Sequence, residues 1–137
     1  MPTLLIAYGI ALVLFVATDV VWLTTTGASL YRTTLGDILL PSLRIEPALA
    51  FYLLFPLGIV AFAVAPALKS GSLGQAAFQG ALFGFIAYAT YDLTNYATLR
   101  NWTLKITLID LAYGAIVVAA VSWLTVIALH WLGRTID

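Results

Sequence analysis

Four long apolar stretches dominate this sequence, and each is about as long as a bilayer is thick. A membrane helix needs about 20 mostly apolar residues. The stretches run roughly over 3–25, 46–68, 75–98 and 103–131. Charge is scarce between and within them: 9% of the 137 residues are charged and 63% are hydrophobic. Soluble domains carry about 25% charged residues, so a water-soluble globular fold is excluded. Disorder is excluded as well, because disordered chains are poor in apolar residues. Barrel strands would show alternating segments of about ten residues, and the pattern lacks them. The expected fold class is therefore all-α: a polytopic membrane four-helix bundle, with residues 1–137 forming a single transmembrane domain.

The connections differ in length. Lys69 to Gly74 is a short Gly/Ser turn and Leu99 to Trp102 is equally tight, so spans two to four should run as successive antiparallel hairpins. The first loop is longer, about Thr26 to Ile45. Within it Leu30, Tyr31, Leu35, Ile38 and Leu39 repeat at helical spacing, with Arg32, Thr33, Gly36 and Asp37 on the other side. This pattern predicts a short interfacial amphipathic helix, the alternative being an irregular loop. Pro47 falls in the first turn of span two, where a missing N–H does no harm. Pro56 should kink that span, and Pro66 should end it. Trp22, Trp102 and Trp131 fall near span boundaries, as an aromatic belt requires. The start, Met1-Pro2-Thr3, lacks the basic residues of a signal peptide, so span one is expected to stay in the mature protein.

Lys and Arg set the expected orientation. Arg32, Arg44, Arg100 and Lys105 lie on the side of loops 1 and 3, against Lys69 and Arg134 opposite. Loops 1 and 3 should thus be cytoplasmic. Net charge is zero and there is no cysteine. Nucleic-acid binding, disulfides and thiolate chemistry are excluded. The single His130 excludes a multi-histidine metal site and reads as an interfacial residue. No cofactor is expected, and membrane lipids and a homodimer are the expected partners.

The acids carry the functional signal. Asp19, Asp92 and Asp110 lie inside predicted spans, and Glu46 lies at the mouth of one, where it also suits a helix cap. A charge at mid-helix costs about 2.5–3.5 kcal/mol on insertion scales. Each Asp is about 10 Å from its helix end at 1.5 Å per residue, and all these ends share one face. The acids thus form one polar layer in one half of the bilayer. In the other half stand little more than Tyr8, Gln79, Ser122 and Thr125. By helical phase, Gly80, Gly84, Tyr88, Tyr91 and Asn95 share a stripe of span three, with Asp92 on its flank. Gly80 and Gly84 form a small-xxx-small packing motif. Thr103, Thr107, Asp110, Gly114 and Thr125 share a stripe of span four, and Tyr8, Phe15, Asp19 and Trp22 one of span one. A pocket lined by Asp19, Trp22, Tyr91, Asp92, Asn95, Thr107 and Asp110 follows. Its carboxylates are either partly protonated or neutralised by Arg44, Arg100 or Lys105. The bland reading is polar glue between helices.

The run from Tyr91 to Trp102 (Tyr-Asp-Leu-Thr-Asn-Tyr-Ala-Thr-Leu-Arg-Asn-Trp), then Lys105 and Asp110-Leu-Ala-Tyr-Gly114, resembles a family of small predicted bacterial membrane proteins catalogued as a domain of unknown function. Asp19 and Trp22 fit the same family, and the resemblance spans essentially the whole chain. It implies four spans in a bacterial inner membrane and no particular reaction. Ala17-Thr18-Asp19 also echoes Ala89 to Asp92, as parallel repeats would.

Three functions compete. The first is a small-solute or proton/cation-coupled transporter, similar in layout to the small multidrug-resistance exporters but with three off-centre Asp residues in place of one central Glu. The second is a lipid-headgroup-binding protein or membrane enzyme with a leaflet-open pocket. The third is an accessory subunit of a larger membrane complex. A water-filled pore is disfavoured, because the far half offers no continuous polar lining.

Overall fold

The computed structural model describes residues 2–136. Five helices follow one another: α1 (Pro2–Thr24), α2 (Thr26–Leu35), α3 (Ile45–Ser70), α4 (Leu73–Thr98) and α5 (Leu104–Trp131). Among the described residues, three helices are long and apolar enough to cross a membrane: α1, α3 and α5. The expected count was four. The remaining long helix, α4, has 26 residues but includes Gln75, Gln79, Asp92, Asn95 and three glycines. One row of it, Ala76, Gly80, Gly84 and Asp92, is buried, while Phe78, Leu82, Phe85, Ile86 and Leu93 are exposed.

Two polar ties fix which ends lie together. The Asn101 side-chain amide donates to Asp37 Oδ1 at 2.9 Å, joining loops 1 and 3. The Thr3 hydroxyl donates to the Thr135 carbonyl at 3.4 Å, joining the two ends of the chain. Alternating helix direction follows from these ties and from the tight turns. Gly71 closes α3 at φ 71, a left-handed conformation that glycine adopts without steric cost. Ser72 then caps α4, accepting from the Gln75 N–H at 3.1 Å.

The most extensive helix contact is that between α4 and α5, and α5 also meets α1 and α3. Glycine makes the α4–α5 approach. A Cβ on Gly84 would strike the Gly114 carbonyl, and one on Gly80 would lie 2.7 Å from the Val118 carbonyl. Gly80 and Gly84 therefore form the packing face expected of a small-xxx-small motif. A similar stripe on α1, Thr3, Ala7, Ala11, Phe15 and Asp19, is buried at every fourth position. These faces enclose a core of Ile59, Val64, Val118, Val121, Val126 and Leu129.

Three expectations need correction. Pro66 does not end its helix, which continues to Ser70. Instead the backbone widens to a π-turn over Val60–Val64 just before it. Proline cannot donate to the carbonyl four residues back and its ring crowds that carbonyl, and a π-turn relieves both constraints. Trp102 is not a lipid-facing belt residue: it is 5% exposed and packs with Leu35 and Ile106 under α2. The amphipathic helix is present, but it stops at Leu35, so Ile38 and Leu39 lie beyond it and are exposed.

Candidate functional site

All three intramembrane aspartates are buried, at 7% exposure for Asp19, 0% for Asp92 and 4% for Asp110. Helix phase explains why. Asp19 extends the fourfold stripe of α1, and Asp92 falls on the row Ala76, Gly80, Gly84, Tyr88 of α4. Asp92 therefore sits on the α4–α5 seam rather than on its flank. Asp110 is one of the seam-facing residues of α5, four before Gly114.

Their surroundings are unlike. Asp19 is cradled by two phenols: Tyr52 Oη donates to Oδ2 at 2.5 Å and Tyr113 Oη donates to Oδ1 at 2.9 Å. The Tyr113 ring stacks on Trp22 with centroids 4.2 Å apart. Asp110 accepts one bond at Oδ1, from Tyr31 Oη of α2 at 2.6 Å. Neither oxygen of Asp92 has a hydrogen-bond partner, and the Asp110 carboxyl lies beside it. The donors in this layer are tyrosines, not Arg44, Arg100 or Lys105. Tyr88, whose ring fills the space left by Gly114, stands within electrostatic range of all three acids.

Of the other expected site residues, Thr107 is 1% exposed and accepts from Trp102 Nε1 at 3.0 Å while donating to the Thr103 carbonyl at 2.9 Å. Its hydrogen bonds are thus satisfied by the N-cap Thr103 and the residue before it. Trp22 and Asn95 are half-buried. Tyr91 is 59% exposed, with its ring edge-on to Trp102 at 5.6 Å. The structure thus brings Asp19, Trp22, Asp92, Thr107 and Asp110 toward one buried layer and leaves Tyr91 at its rim.

Sequence reasoning missed the hydrogen-bond partners: Tyr31, Tyr52 and Tyr113. One signal was available. A buried carboxylate requires donors, and many of the span threonines bond back to their own helix's carbonyls, which leaves the tyrosines as the hydroxyls long enough to reach across to another helix. Burial, then the Asp110 charge, push the Tyr31 phenol well above its ordinary value, so it remains a donor. Among the described residues no group of three or more His, Asp or Glu could hold a metal ion.

A separate groove of about 480 Å³ lies between α3 and α4. It is apolar, lined among others by Phe51, Phe55, Phe62 and Phe83. Phe55 stacks on Phe83 at 5.3 Å and meets Tyr88 edge-on at 6.1 Å.

The model of one family, described as "Predicted membrane protein (DUF2177)", matches residues 4–127. Neither a curated protein nor a solved structure matches the chain.

Proposed function

The chain belongs to the DUF2177 family of predicted membrane proteins, and on that footing we propose that it is a four-span, proton-coupled carrier of a small solute whose working group is the Asp92–Asp110 pair. One observation carries this reading: the Asp92 carboxyl is fully buried beside a second carboxyl and has no donor. Two carboxylates can only accept. A single proton between them converts a repulsive pair into a hydrogen bond, and adding or removing that proton changes the charge of the layer by one. Intramembrane ionisable groups without structural partners mark proton relays and substrate paths.

The span count has its own support. At 1.5 Å per residue, the 26 residues of α4 reach about 39 Å, enough for a hydrocarbon core of about 30 Å. Short turns tie α4 to two apolar spans, its charged residue Asp92 is buried, and its exposed side includes Phe78, Leu82, Phe85, Ile86 and Leu93. The Lys and Arg bias supports a cytoplasmic side for loops 1 and 3, and an inner membrane suits that polarity.

The test is a proton count. Purified protein in detergent is taken through a pH step, and protons bound per chain are read with an indicator dye. Asp92→Asn and Asp110→Asn should each bind one proton fewer than wild type. Equal uptake by wild type and both variants would refute the proposal.

A second reading, lipid binding, is favoured by the apolar groove on α3 and α4. Ala61 also lines this groove, and if the reading is right, native mass spectrometry shows a retained lipid that the groove-filling Ala61→Trp displaces.

A further inference from the structure

We propose that α2 is a hinged cover over the Asp92–Asp110 pair and that Tyr31 is the residue that latches it. This rests on the pair being the working site, and it assigns that site its door.

The attachment of α2 suits a moving part. At its start a single residue, Thr25, separates it from α1, with φ −116 and ψ −103, outside the helical region. At its end residues 36–44 run without regular helix to α3. Hinges are short element-terminal segments of this kind, which absorb a change in backbone angles. The close approach of Gly27 to the Trp22 carbonyl, where a Cβ would lie at 2.8 Å, folds α2 back against the end of α1.

The packing of α2 is detachable. Its buried apolar residue, Leu35, belongs to a small cluster with Trp102 and Ile106, flanked by Leu30 and Tyr31. That cluster is distinct from the main core, so α2 can lift without unpacking the bundle. Only two polar side-chain contacts reach from α2 and the residues just after it to α5 and the loop before it. Asn101 to Asp37 is exposed, whereas Tyr31 to Asp110 is part-buried and spans 79 positions of sequence. The Tyr31 hydroxyl therefore binds the acid pair directly and holds the cover over it. Trp102, held by its bond to Thr107, which in turn donates to the Thr103 carbonyl, forms the fixed sill on which the cover rests.

The chain has no cysteine, so a single introduced thiol reports access. Asp92→Cys in nanodiscs, with both faces open, is exposed to a charged, membrane-impermeant methanethiosulfonate. Adding Tyr31→Phe keeps the ring against Trp102 and removes the latch. Labelling should then accelerate about tenfold, the factor that one hydrogen bond to a charged group supplies. Adding Tyr52→Phe instead removes a phenol of the same kind from Asp19 and should leave the rate unchanged. Equal labelling in all three proteins, or equal acceleration by both phenylalanines, would overturn the proposal. Because the readout is access and not proton binding, it fails or holds apart from the proton count.

Discussion

Asp19 and Asp92 lie in the same buried layer and are treated in opposite ways. Asp19 receives two phenol hydroxyls, and its neighbour Tyr113 is clamped by Trp22. Asp92 receives none and instead faces Asp110. A buried carboxylate with its donors supplied is a structural joint, because removing it leaves the donors unpaired. A buried carboxylate left without donors costs stability in the resting fold, which is the ground for proposing that Asp92 does more than hold helices together. The polar-glue reading therefore fits Asp19, and the functional reading fits the Asp92–Asp110 pair.

Stability measurements separate the two most sharply. Asp19→Ala orphans the Tyr52 and Tyr113 hydroxyls and should cost about 3 kcal/mol. Thermal unfolding in detergent, followed by near-ultraviolet circular dichroism, should also show loss of the Trp22–Tyr113 signal. Asp92→Asn should change stability by no more than about 0.5 kcal/mol, because an amide can donate to Asp110 where the wild type needs a proton. An equal penalty for Asp92→Asn and Asp19→Ala would erase the distinction.

The cradle can be divided further. Tyr52→Phe and Tyr113→Phe should each cost about 1 kcal/mol. Adding either phenylalanine to Asp19→Ala should cost less than the sum of the two single changes, since all three residues share one joint.

The smallest expected effect lies at Tyr31. Its phenol is held above the ordinary tyrosine value of about 10 by burial and then by Asp110. The folded chain therefore keeps a proton that the unfolded chain releases, and stability present below about pH 10 is lost as pH rises beyond it. Unfolding midpoints measured from about pH 9 to about pH 11 should fall less steeply in Tyr31→Phe than in wild type.

The depth of the acid layer was legible in the sequence because helical rise converts residue number into distance. The helix limits were legible because apolar runs end at Gly/Ser turns and at capping residues such as Ser72 and Thr103. The partners of the acids were not legible. Helices α1, α3 and α5 are apolar almost all round, so periodicity scarcely records which face meets which neighbour. Tyr52 and Tyr113 reach Asp19 from two other helices, and Tyr31 reaches Asp110 from a loop helix that looked merely interfacial. The row from Gly80 to Asp92 was present in the sequence, but a stripe drawn through Tyr91 and Asn95 displaced Asp92 to the flank. The π-turn before Pro66 has no simple sequence signature at all.

The central claim is that Asp92 and Asp110 together hold a proton inside the membrane. Infrared difference spectroscopy across a pH step reads it directly, through the carbonyl stretch of a protonated carboxylic acid. The account predicts such a band in wild type, absent from both Asp92→Asn and Asp110→Asn and retained in Tyr52→Phe. A band that survives both asparagine variants, or a wild type without one, would contradict it.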